Sequence, residues 1–106
     1  MKLMTKEIES KLPALYANED KEPEDINVVV KFFHPFSHWT WFATEGSKQE
    51  DGDWLFFGWV EGDFPELGYF SLRELESINI MGLPMERDRH YGYDHTLAEV
   101  MERSRA

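Results

Sequence analysis

Between Asn27 and Phe70 the side chains alternate with a period of two, in four short runs separated by turn residues. From Asn27 to His34, Val28, Val30 and Phe32 face one way and Val29, Lys31 and Phe33 the other, and the β-branched run favours a strand. His34-Pro-Phe-Ser37 then turns the chain, because proline cannot donate to a ladder. From His38 to Glu45, Trp39, Trp41 and Ala43 oppose His38, Thr40, Phe42 and Thr44. A polar loop over 46–53 carries the turn signal Asp51-Gly52. From Trp54 to Glu61, Trp54, Phe56 and Val60 share a face with Gly58, and Leu55, Phe57 and Trp59 share the other. Gly58 inside this run marks a bulge or room for a facing side chain. After Gly62-Asp-Phe-Pro65, a fourth short strand runs from Glu66 to Phe70. Connections this short suit antiparallel pairs, since parallel ones need long crossovers.

Helical spacing flanks this block. Thr5 is an N-cap, Ile8, Leu12 and Leu15 fall near one face, and Pro13 ends the first helix near Lys11 or kinks it. Ser71-Leu-Arg-Glu74 and Thr96-Leu-Ala-Glu99 are capping boxes. They open helices expected to run to about Ile78 and Ser104. Gly82 and Pro84 stop the first of these, and the stretch from Met85 to Tyr93 is extended or a fifth edge strand. The predicted fold is α+β: one domain over 1–106, an antiparallel meander of about four strands covered by an N-terminal helix and two C-terminal helices.

Charge changes this picture. Net charge is −10, but residues 17–66 hold twelve acids against Lys21, Lys31 and Lys48, a net −9. Two loops concentrate it: 18–25, with Glu19, Asp20, Glu22, Glu24 and Asp25, and 46–53, with Glu50, Asp51 and Asp53. The first is expected to be solvated and mobile. Such a field repels phosphate backbones and attracts basic surfaces. The same block holds all four tryptophans, Trp39, Trp41, Trp54 and Trp59. A sheet with apolar residues on both faces needs cover on both, and three short helices are thin cover. An aromatic patch left exposed, with an acidic rim, would be a protein-binding surface.

Reaction chemistry is sparse. Cysteine is absent, which removes disulfides and thiolate metal sites and suits a reducing cytoplasm. No apolar run reaches the length of a membrane span, and the amino-terminal stretch becomes charged too early for a signal peptide. Nucleophile elbows and glycine-rich phosphate loops are missing. The spacings of His34 with His38 and of His90 with His95 put ligands on one face only in a helix, whereas the first pair spans a proline-containing turn and the second flanks Tyr91-Gly-Tyr93. The acids around Asp51 lack the offsets of a calcium loop. No cofactor is expected.

The chain resembles an uncharacterised family of short bacterial proteins, labelled only as a domain of unknown function. The likeness rests on Met1-Lys-Leu-Met-Thr-Lys-Glu-Ile-Glu9, Lys11-Leu-Pro13, Lys31-Phe-Phe33, Trp39-Thr-Trp41, Ala43-Thr-Glu45 and Phe56-Phe-Gly58. It continues through Leu67-Gly-Tyr-Phe-Ser-Leu72, Glu74-Leu-Glu76, Gly82-Leu-Pro84 and Glu86-Arg-Asp88. The resemblance implies a bacterial cytoplasm and a plasmid, integrative-element or phage setting, and it brings no catalytic residue. Small acidic proteins of that setting often inhibit host defence nucleases, some by mimicking DNA charge; that step is analogy. The expectation is a non-enzymatic acidic binding protein that inhibits or modulates a host nucleic-acid-processing or defence complex by protein contact. The acids named above would steer a basic protein or nucleoprotein complex, and the tryptophans would anchor it. Direct nucleic-acid and membrane contact are not expected. The alternative is a small metal-dependent or acid/base enzyme using His34, His38, His90 and nearby carboxylates. A small-molecule sensor holding its ligand between sheet and helices is a third reading.

Overall fold

The computed structural model describes residues 1–105. Helix α1 (Lys6–Lys11) starts at Thr5, whose hydroxyl accepts the Ile8 amide, and ends ahead of Pro13. A single 3-10 turn, Pro23–Asp25, precedes β1 (Val30–Phe33), β2 (Thr40–Lys48), β3 (Trp54–Glu61) and β4 (Pro65–Ser71). Then come α2 (Leu72–Glu76), the hairpin β5 (Asn79–Ile80) and β6 (Leu83–Pro84), β7 (Glu86–Arg87) and α3 (Leu97–Arg105). The main sheet is antiparallel in the order β4-β3-β2-β1-β7, so the predicted four-strand meander gains a short fifth strand at one edge.

Boundaries shift where tertiary pairing competes with local pattern. Only the second half of the predicted first strand joins the ladder. Its first half pairs with the chain entering α3, through an Asn27–Thr96 bridge and the bond from the Val28 amide to the His95 carbonyl. β2 begins later than expected and runs through Lys48, which takes Gly46, Ser47 and Lys48 out of the predicted loop. Between Ala43 and Glu45 the register slips by one residue opposite Gly58 and Phe57. Thr44 is the bulged residue, and its hydroxyl donates to the Phe57 carbonyl. A bulge inverts the side chains beyond it, so Glu45 faces the side of the sheet that carries Phe57. The Ser71 box forms completely. At Thr96 only half of one forms: its hydroxyl accepts the Glu99 amide, while the Glu99 carboxylate meets His95 Nδ1 instead.

Each face of the sheet has its own core. Phe32, Ala43, Phe56 and Phe70 pack under the N-terminal segment (Leu3, Met4, Ile8), Leu75 of α2 and Met85. On the other face Phe42 and Trp59 pack under Leu97 and Val100 of α3, with Ile26 and Val28 beside them. α3 is only nine residues long and covers the middle strands, not β4.

Tyr91 closes the α3 side. It stacks on His95 with 4.1 Å between ring centroids and tilts against Phe42. Its hydroxyl is buried and has no protein hydrogen-bond partner among the described residues. Burial pushes its pKa up to about 12; Glu99, Glu61 and Asp88 add to that and Arg103 opposes it. Below the ordinary value of 10.0 both folded and unfolded chains hold this proton. Between there and about 12 only the folded chain holds it, so stability falls as pH rises through that window. Tyr91→Phe is expected to remove this alkaline loss. It is also expected to leave the neutral-pH melting temperature unchanged or raised, because a buried hydroxyl without a partner costs free energy. Thermal melts of both proteins across neutral and alkaline pH check it; an unchanged alkaline profile counts against the assignment.

Candidate functional site

A groove lies where α3 fails to reach the β4 edge. Its floor is Phe57 and Tyr69, which are register partners with ring centroids 4.9 Å apart, together with Leu67. Its walls are the segment from Tyr16 to Ile26 and Leu97 at the start of α3, and it encloses about 440 Å³. Tyr16, Leu67 and Tyr69 are 64%, 45% and 52% exposed, an open apolar strip on an otherwise packed sheet.

The wall is built from β2. After α1 the chain runs beside residues 44–47: the Gly46 amide donates to the Pro13 carbonyl, and the Leu15 amide to Ser47 Oγ. Glu45, only 5% exposed, fixes the next turn. One carboxylate oxygen accepts the Tyr16 amide at 2.9 Å and the other the Asn18 amide at 2.8 Å. Tyr16 is held with φ of 73°, a left-handed conformation that costs a bulky residue about 1–2 kcal/mol. That conformation places Tyr16 in the lining of the groove that also holds Tyr69. The Tyr16 hydroxyl, then burial, holds the Tyr69 phenol above the ordinary tyrosine range.

The acidic segment 18–25 is therefore not a loose loop. Successive turns, Glu19 amide to Tyr16 carbonyl and Lys21 amide to Asn18 carbonyl, lead into the 3-10 turn. Glu19 lines the groove, and Asp20, Glu22, Glu24 and Asp25 stand exposed on the same segment. The other acidic turn is partly neutralised. Asp51 and Asp53 bind Arg73 at the start of α2: the guanidinium donates to Asp51 Oδ2 at 3.1 Å, and the Arg73 amide to Asp53 Oδ1 at 3.0 Å. Glu50 is exposed on this turn.

The tryptophans do not gather at the groove. Trp59 is 7% exposed beneath α3 and donates from Nε1 to Ser104 Oγ at 2.9 Å, so its place as an anchor passes to the core. Trp41 and Trp54 are half-buried against the opposite face, and Trp39 tilts against Trp41 and lies over the Gly62 backbone. The exposed aromatics at the groove that sequence reading passed over are Tyr16 and Tyr69; Phe36, Phe64 and Tyr93 are exposed elsewhere. The signal for Tyr69 was present: Leu67 and Tyr69 alternate against buried Phe70 on the last strand of a meander, which is an edge.

The histidines take separate roles. His34 is 2% exposed; Nδ1 accepts the Phe36 amide, so Nε2 carries the proton and donates to the Leu83 carbonyl at 2.7 Å. His38 is exposed beside Asp63, and His90 is exposed, its amide donating to the Asp88 carboxylate. No group of three or more metal-ligating side chains converges among the described residues. No helix among them is long and apolar enough to cross a membrane.

Fold and groove together define an acidic α+β domain with an open aromatic strip at one sheet edge. The chain belongs to the family described as a protein of unknown function (DUF2958), whose model matches residues 3–106. No curated protein and no solved structure matches it.

Proposed function

We propose that this domain is a non-enzymatic binding protein whose groove docks a basic partner protein. The observation that carries the reading is the open strip of Tyr16, Leu67 and Tyr69 beside the segment 19–25, whose Glu19 and Lys21 line the groove and whose Asp20, Glu22, Glu24 and Asp25 stand exposed. Aromatic residues in a partly formed pocket supply anchors, and a surrounding field of one sign supplies steering and specificity. The excess of acids over 17–66 disfavours nucleic acid as a direct ligand and favours the basic surfaces of proteins that handle it. A nucleic-acid-processing or defence complex of the bacterial host fits that charge, and a mobile-element setting remains part of the proposal.

Two variants separate anchoring from steering. Replacing Leu67 and Tyr69 by Ser should weaken binding by about 30-fold or more while leaving the far-UV circular dichroism spectrum intact. Replacing Glu19, Asp20, Glu22, Glu24 and Asp25 by their amides should slow association and flatten its salt dependence. The check is capture from the bacterial host at low and high salt with all three proteins, followed by kinetics on the purified partner. A partner held equally by wild type and the Ser variant would remove the groove from the reading.

A further inference from the structure

We infer that the outer edge of β4 receives an extended basic segment of the partner, which joins the sheet as an added strand. This rests on the basic-partner reading above and names how that partner is held.

β4 is seven residues long and ends the sheet, so one row of its amides and carbonyls has no strand beside it. Natural proteins blunt such edges with charged side chains, above all lysine, with proline, with bulges or with cover. β4 has no lysine and no bulge, and its proline and its one charge stand at its first two positions, leaving Leu67 to Ser71 without either. Its pairing with β3 is unbroken from Leu55–Ser71 to Glu61–Pro65, its proline is the first residue, and its one charged residue is the acid Glu66. Cover is missing as well: Leu67 and Tyr69 are exposed on the groove side, and a Cβ at Gly68 would meet nothing within 4 Å on the other. The opposite edge, β7, is two residues long and offers no comparable ladder.

Charge selects the occupant. Asp63 and Glu66 lie at one end of β4, and the turn with Glu50 lies beside Ser71 at the other. A strand with Arg or Lys at both ends, and apolar side chains laid against Leu67 and Tyr69, satisfies both the field and the apolar strip. A second copy of this chain would bring another −10 to the same edge and is disfavoured by that repulsion.

The test uses the full chain and a fluorescein-labelled synthetic peptide with arginine at both ends and valine alternating with threonine between. Two twins carry N-methyl groups on alternate amides, one in each frame. The expected result is saturable binding that one methylated frame weakens by about tenfold or more and the other leaves unchanged, because only one frame donates to the edge. Amide hydrogen exchange within 65–71 should slow when the unmethylated peptide is bound. Binding insensitive to both frames, slowed exchange only outside β4, or no binding at all overturns strand addition. So does exchange in β4 that slows with protein concentration alone, which would place a second copy there. The basic-partner reading fails separately, through loss of the salt and groove effects on the captured partner.

Discussion

Gly58→Ala should fail to give a stable native fold, while Gly68→Ala, its register partner on the next strand, should be tolerated. The two glycines sit opposite each other in the β3–β4 ladder. A Cβ at Gly58 would overlap the Phe42 carbonyl oxygen, lie 2.8 Å from the carbonyl carbon and 3.0 Å from the Ala43 Cα. These are backbone atoms at the lip of the Thr44 bulge, so no rotamer change relieves the overlap. Only a shift of β2 against β3 can, and that disturbs the pairing on which both cores rest. A cost above about 4 kcal/mol follows, a large share of the 5–15 kcal/mol of an ordinary domain. At Gly68 the same methyl group meets open space, and its effect should stay within about 1 kcal/mol. Thermal and urea melts of both variants decide it. If Gly58→Ala melts within a few degrees of wild type, the bulge is not packed as described.

The second large effect is expected at Glu45. Among the described residues its carboxylate alone accepts the Tyr16 and Asn18 amides, and it is buried where water has little access. Hydrogen bonds to a charged acceptor contribute about 1.5–3 kcal/mol each, and orphaned amides cost more when buried. Glu45→Ala should therefore destabilise the domain by about 3 kcal/mol, read as a fall of roughly 10 °C or more in Tm. It should also release the left-handed turn at Tyr16, open the groove wall and weaken partner binding beyond the stability loss. Tyr16→Gly separates the two roles. Glycine takes that φ without strain, so stability should hold or rise, yet the ring is gone and binding should fall. Equal binding by Tyr16→Gly and wild type would exclude the Tyr16 ring from the interface.

Much of the fold was legible because it is written in local periodicity. The two-residue alternation of Val28 to Phe33 and of Trp54 to Val60 places strands, Thr5 and Ser71 cap helices, and Pro13 stops α1. Errors fall where a distant partner outvotes the local pattern. Gly46–Lys48 reads as a polar turn, but the backbone of Pro13 and Leu15 and the facing Leu55 and Trp54 keep it in a strand. Trp59 reads as an aromatic free to bind, but α3, almost forty residues further along the chain, lies on it.

The sequence by itself determined the four long strands, the three helices, the negative field over 17–66 and the lack of cysteine, because composition, charge and short-range spacing are properties of neighbours. Only the tertiary structure decided which aromatics stay exposed. That outcome depends on a one-residue bulge at Thr44, which turns Glu45 inward to hold the Tyr16 turn. It depends equally on the reach of a nine-residue helix, which covers Phe42 and Trp59 and stops short of Tyr69. Neither the inverted face nor the uncovered edge is a local property, since each arises from how separate elements meet.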